Sequence, residues 1–201
     1  MAVIINPRGT SGSGKTEFVR RLLADYGWNR GNGPREIRSA GRDRPIAYQL
    51  AHPFGGDPLT VIGSYEGTAG GCDRIRASDG GMGEAFRLAH EQALAGHDVL
   101  LEGLMLSGEH VMSAALAGRH PLHVLRLSTP IDHCIRNVVR RQRSGQRNLV
   151  SVARTASIHQ ANIDRACRML EQHASVEVLD FDRALHRARQ LLGVRENRVA
   201  A

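Results

Sequence analysis

Lysine is almost absent from this chain of 201 residues: of its 27 lysines and arginines, Lys15 alone is a lysine. A sequence that uses arginine everywhere else keeps lysine where a compact ammonium on a flexible stem is needed and a planar guanidinium is too wide. Cysteine is scarce and odd in number. Cys72, Cys134 and Cys167 show no C-x-x-C spacing, which excludes a disulfide framework and a cysteine zinc site and leaves them as small packing residues. The histidines, among them His90, His97 and His123, lack the i, i+4 pairing of a metal site. No apolar run approaches the roughly 18 residues that span a bilayer, and the first residues enter an apolar segment without a charged leader, so no membrane association is expected. Internal repeats and low-complexity tracts are missing too. Positive charge is abundant, with a net +7 that favours a polyanionic partner.

The lone lysine stands in Gly9-Thr10-Ser11-Gly12-Ser13-Gly14-Lys15-Thr16, a complete G-x-x-x-x-G-K-[ST] phosphate loop. Gly9, Gly12 and Gly14 let backbone N–H groups turn around phosphate oxygens, with Ser11 and Ser13 in the cradle. Lys15 reaches the β- and γ-phosphates, and Thr16 offers a hydroxyl to Mg²⁺. The context is strand, loop, helix: Ala2 to Asn6 is apolar, and Phe18, Leu22 and Leu23 recur at helical spacing.

Beyond the first helix, residues 27–44 mix Gly27, Gly31, Gly33 and Gly41 with Arg30, Arg35, Arg38, Arg42 and Arg44 and read as a basic loop. Ile46, Tyr48 and Leu50 alternate, as do Leu59 and Val61 running on to Tyr65, which predicts two paired strands around the turn at 52–58. A second glycine-rich loop, 67–75, precedes a helix marked by Met82, Phe86, Ala89 and Ala93. The apolar stretch 98–106 reads as a buried strand, 122–127 as another, then a helix opened by Pro130, a helix through Ile163, Cys167 and Leu170, a strand at 176–179 and a last helix from Ala184. This alternation predicts an α/β fold, a mostly parallel sheet flanked by helices, in one domain spanning 1–201 with ligands at the carboxyl ends of the strands. The basic loop and strand pair at 27–66 and a lid-like helix at 130–147 are its additions.

Chemistry concentrates at those ends. Glu102 closes the run Val99-Leu100-Leu101, where an acid can hold Mg²⁺ or act as a base; the plainer reading is an ordinary strand-end carboxylate. Asp73, in Gly70-Gly71-Cys72-Asp73, can orient or deprotonate a substrate hydroxyl, or simply cap the next turn. Tyr65 beside Glu66 can stack on a base or fill the core. Arg136, Arg140, Arg143 and Arg147 share one helical face and suit a lid that brings guanidinium groups to a transferring phosphoryl; the alternative is a solvated basic face.

Taken together, the loop Gly9 to Thr16, the acid Glu102 and the lid motif Arg136/Arg140 resemble the P-loop nucleoside and nucleotide kinases typified by thymidylate kinases. Their Asp-Arg-Tyr/His substrate motif is replaced here by Glu102-Gly-Leu-Met-Leu-Ser107. The segment Tyr65 to Ile75, with its Gly-Gly-Cys-Asp, is similar to that of bacteriophage P-loop kinases that phosphorylate 5-hydroxymethyluracil within DNA, with Arg74 where a threonine is expected. The resemblance implies a kinase in the cytoplasm of an infected bacterial host that uses ATP and Mg²⁺. It further implies that Lys15 and Thr16 organise ATP and metal, that Glu102 or Asp73 orients the acceptor, and that Arg136, Arg140 and Arg143 stabilise the transferring phosphoryl. Tyr65, Glu66, Gly70, Gly71, Cys72 and Asp73 would form the substrate site, and the arginines of 30–44 would hold DNA. Two other readings remain open: a kinase of free deoxynucleotides or nucleosides, and a nucleotide-driven switch, which lacks a water-positioning glutamine motif.

Overall fold

The computed structural model describes residues 2–28, 34–39, 44–66, 70–141 and 149–195. The apolar N-terminal run forms β1 (Ile4–Arg8), every residue of it buried, and the phosphate loop leads into α1 (Lys15–Asp25). Strands β2 (Arg35–Ile37), β3 (Ala47–Leu50) and β4 (Leu59–Ile62) follow, then α2 (Gly81–Leu94) and β5 (Asp98–Leu101). The remaining elements are α3 (Leu104–Ser107), α4 (Val111–Ala117), β6 (Leu122–Leu127), α5 (Ile131–Arg141), α6 (Leu149–Leu170), β7 (Ser175–Leu179) and α7 (Phe181–Leu191).

The seven strands form one sheet in the order β2-β3-β4-β5-β1-β6-β7. From β4 to β7 all neighbours are parallel, and only β3 runs against both of its neighbours. Parallel strands in the middle of such a sheet are covered on both faces, which is why β1, β4 and β5 are buried at every position. Because side chains alternate along a strand, consecutive residues feed different cores. Ile5 and Leu100 pack with Phe18, Leu22 and Leu185 from α1 and α7, whereas Ile4 and Leu101 pack with Phe86, Leu116 and Ile163 from α2, α4 and α6. On the first face an ion pair from Arg189 to Asp25, 2.8 Å long and largely buried, ties α7 to α1.

Three expectations change. Within the basic segment 27–44, Arg35–Ile37 is a strand, paired with β3 through Glu36 opposite Tyr48. It is short and mostly exposed, so no apolar alternation marks it, and it exists by pairing with β3. The apolar stretch 98–106 is a strand only to Leu101, because Leu104–Ser107 turns helical. Tyr65 lies beyond the end of β4, in a loop bridged at Ser64 and Gly71. The α5 part of the lid segment is helical to Arg141, while residues 142–148, with Arg143 and Arg147, lie outside the described residues.

Leu100, fully buried at the centre of the sheet, is the position where packing should matter most. Leu100→Ala is expected to lower stability by about 2–5 kcal/mol, read as a fall in the urea midpoint at unchanged slope.

Candidate functional site

Phosphate loop, β5 and α5 meet at the carboxyl end of the sheet around a cleft of about 520 Å³, whose lining includes Lys15, Thr16, Asp73, Glu102, Arg140 and Arg141. The loop is shaped for anions. Gly14, with φ of 100°, precedes α1, no side chain caps the helix, and its first amides therefore stay available at the cleft. Buried hydroxyls of Thr10 and Ser13 have no hydrogen-bond partner among the described residues. The Lys15 ammonium donates to the carbonyls of Gly9 (2.6 Å) and Thr10 (3.1 Å), folded back onto the loop it serves. Burial pushes the Lys15 pKa down, and the negative charges of Glu102 and then Asp73 act against that.

The loop also rests on α5. Thr129 donates to the carbonyl of Ser13 (2.9 Å), and the Asn137 amide donates to that of Gly12 (2.9 Å). Gly12 has φ of 83°, and a Cβ there would meet the Cys134 carbonyl oxygen at 2.3 Å, so this glycine is required both for its left-handed backbone and for the close approach of the helix.

Glu102 stands opposite Lys15, 2% exposed, and accepts a hydrogen bond from the Thr16 hydroxyl at 3.1 Å. Burial raises its pKa from the ordinary 4.5 up to about 7, against the lowering pull of Lys15 and Thr16. Tyr65 is buried behind it, its hydroxyl near the Glu102 carboxyl but short of hydrogen-bond geometry, and burial beside that carboxyl pushes its own pKa well up. Gly70 sits against the ring of Tyr65, where a Cβ would lie 2.7 Å from the nearest ring carbon. Tyr65 thus takes the core position weighed in the sequence instead of offering a free face for stacking. Cys72 donates its amide to the Glu102 carbonyl (2.7 Å), and burial raises its thiol pKa, which makes it an unreactive packing residue.

Asp73 does cap a helix, though not the one next in sequence. Its carboxylate accepts from the amides of Leu104 (2.6 Å) and Met105 (3.2 Å) at the start of α3. That contact turns the chain helical directly after Glu102 and brings the glycine loop to the cleft. Gly70 and Asp73 reach the cleft lining, Gly71 and Cys72 lie buried behind it, and Glu66 is exposed away from it.

On α5 the facing stripe is Asn137, Arg140 and Arg141, one position round from the stripe carrying Arg136, which does not line the cleft. The buried side chain of Cys134 and the Asn137 contact to Gly12 set that rotation. Arg140 and Arg141 are exposed and make no ion pair among the described residues. Of the basic segment 30–44, Arg30 and Arg42 lie outside the described residues. Arg38, paired with Glu36, and Arg44 follow β2 and precede β3, and the register from Ile37 through Ala47 to Ile62 puts those strand ends at the same end of the sheet as the cleft, with residues 40–43 outside the described residues.

A buried polar clamp that motif reading does not reveal holds this geometry. Arg8, wholly buried, donates to Asn6 Oδ1 (2.6 Å), to the carbonyls of Ser107 (3.2 Å) and Glu109 (2.5 Å), and to Ser113 Oγ (2.7 Å). Asn6 donates to the Leu101 carbonyl (2.7 Å), and Ser107 donates to that of Gly103 (2.6 Å). The strand that starts the phosphate loop is thereby fastened to both sides of Glu102. Its one visible sign in the sequence is an arginine closing an otherwise uncharged strand, immediately before Gly9.

No protein-family model matches the chain. Among curated proteins it is similar to a "5-hmdU DNA kinase" of Pseudomonas phage PaMx11, 33% identical over 197 residues that cover 94% of this chain and 96% of the relative.

Glu102 makes the stability of the ligand-free protein depend on pH with a definite sign. Its folded pKa of about 7 exceeds the ordinary 4.5, so the folded state holds a proton that the unfolded state has released. The stabilising contribution is complete below pH 4.5 and is lost as pH rises through about 7, by an amount on the order of 3 kcal/mol. Chemical denaturation across that range should show the decline in the parent protein and a shallower one in Glu102→Gln.

Proposed function

The chain belongs to the family of phage 5-hmdU DNA kinases, and from that premise we propose that it moves the γ-phosphoryl group of ATP onto the hydroxymethyl oxygen of 5-hydroxymethyluracil in DNA. The observation that carries the reading at the level of the site is the buried carboxyl of Glu102 facing the phosphate loop across one cleft. The whole chain acts as one kinase domain, in the cytoplasm of an infected host.

In this reading the amides of Gly12 to Thr16 and the Lys15 ammonium hold the phosphates. Phosphate draws Lys15 off its own loop carbonyls. Thr16 and Glu102 are the residues that hold Mg²⁺. Hard oxygen donors suit that ion, and a carboxyl kept partly protonated by burial gains from a cation beside it. When bound, the ion neutralises charge on the phosphoryl oxygens.

Glu102 also orients the accepting hydroxyl and takes its proton as the phosphoryl bond to oxygen forms and the bond to ADP breaks. Its carboxyl faces the cleft beside Thr16, whereas both oxygens of Asp73 are spent on the amides of α3. Arg140 and Arg141 supply guanidinium donors to the transferring group, a role that Arg136, turned away from the cleft, does not share, while Arg143 lies outside the described residues. Gly70 and Asp73 form the acceptor wall of the cleft, with Tyr65, Gly71 and Cys72 behind it. Arg38 and Arg44, at the ends of β2 and β3 on the cleft side of the sheet, approach the DNA backbone. Among the described residues no helix is long and apolar enough to cross a membrane.

The decisive test offers γ-labelled ATP and Mg²⁺ to DNA containing 5-hydroxymethyluracil, to unmodified DNA and to free deoxynucleotides. Label should enter the modified DNA alone and be lost with Lys15→Ala. Glu102→Gln should lower kcat by about 10²–10⁴-fold, and Asp73→Asn by far less. Label confined to free nucleotides would transfer the assignment to a metabolic kinase.

A further inference from the structure

A second cleft, of about 360 Å³, opens beside the first, between α3 with the turn after it and the middle of α6. The two share Leu104, two residues beyond Glu102, so the backbone of Glu102 lies at most about 7 Å from that of the partition between them. Its volume falls in the range that holds one small ligand.

Its lining has two characters. Met105, 70% exposed, and Leu104 give a polarisable apolar wall of the kind that accepts the face of a nucleobase. His110, His159, Asn162 and Arg165 give donors, and no carboxylate is among the lining residues. The neighbouring acids are engaged: Asp73 accepts from the amides of Leu104 and Met105, Asp164 pairs with Arg126 at 2.9 Å, and Glu109 accepts from the amides of Met112 and Ser113. Arg165 is exposed and makes no ion pair among the described residues. An apolar wall facing the Arg165 guanidinium, with His110, His159 and Asn162 as further polar groups, is complementary to a base with its phosphate, and contiguity with the transfer site gives that nucleotide a source.

We propose that this cleft seats the nucleotide adjacent to the target in the substrate strand, its base against Met105 and Leu104 and its phosphate on Arg165. The proposal rests on DNA being the acceptor and adds to it a contact that a free nucleotide cannot make. A kinase that must take its target within a strand gains from such a site, because binding energy from the neighbouring residue positions the reacting one. The base wall tolerates any base, since each has a π-face, while Asn162 can contact its edge.

The test compares the parent enzyme with Arg165→Gln and Met105→Ser on three modified oligonucleotides: one extending several nucleotides to both sides of the target, and two that end at the target, one on its 5′ side and one on its 3′ side. KM for DNA is read from label transfer, affinity from fluorescence anisotropy, and folding from thermal melting. On the extended strand each substitution should raise KM and the dissociation constant about tenfold. That penalty should vanish on one of the truncated strands, the one lacking the nucleotide that the cleft holds, and persist on the other. A penalty kept on both truncated strands, a penalty of the same size on a free modified mononucleotide, or none on the extended strand would overturn the proposal while leaving the acceptor assignment intact. Failure of the parent enzyme to label any modified strand would overturn that assignment, and this site with it.

Discussion

Two buried groups of opposite sign, Lys15 and Glu102, govern the end of this sheet. Lys15 stands at the head of α1 and Glu102 at the tip of β5, and because β1 and β5 are hydrogen-bonded neighbours the two face each other over the phosphate loop. Both are buried and each is pulled toward neutrality by desolvation, Lys15 downward and Glu102 upward, while each supports the other's charge. Such a pair is a poor source of stability and a good place for chemistry. An anionic polyphosphate beside Lys15 and a cation beside Glu102 convert an unfavourable burial into a filled binding site.

Everything around the pair keeps the spacing fixed. Arg8 and Asn6 fasten the entry of the phosphate loop to the carbonyls that bracket Glu102, Asp73 fixes the direction in which the chain leaves it, and Gly71 presses against it from the glycine loop. A Cβ on Gly71, whose φ is 98°, would fall 2.6 Å from the Glu102 carbonyl oxygen, so even this contact depends on a missing side chain. From the opposite side α5 braces the loop through Asn137 and leaves Arg140 and Arg141 exposed at the cleft. A rigid floor with uncompensated positive groups at its rim is an arrangement that phosphoryl transfer can use, since the chemistry demands placement and charge more than covalent participation.

The parallel core and the phosphate site were legible because each has a local signature: buried runs for β1, β5 and β6, a fixed spacing of glycines, and a single lysine. The rest depended on partners far along the chain. Arg35–Ile37 becomes a strand only through β3, and Leu104–Ser107 becomes a helix because Asp73, more than thirty residues earlier, caps it. The arginine stripe on α5 was visible, but its rotation was not, since a one-residue shift is decided by Cys134 and Asn137 against Gly12 and not by arginine spacing. Tyr65 reads identically in sequence as a stacking or a core residue, and only the position of Gly70 against its ring separates the two.

The coupling between Glu102 and the bound nucleotide with its metal is the point on which the account stands, and calorimetry measures it directly. Titrating Mg²⁺·ATP into the protein at pH 7, in buffers of different ionisation enthalpy, counts the protons exchanged on binding. With a Glu102 pKa of about 7 in the free protein, binding should release roughly half a proton in the parent and none in Glu102→Gln. Equal proton release in both proteins, or none in either, would contradict the central role given to this carboxyl.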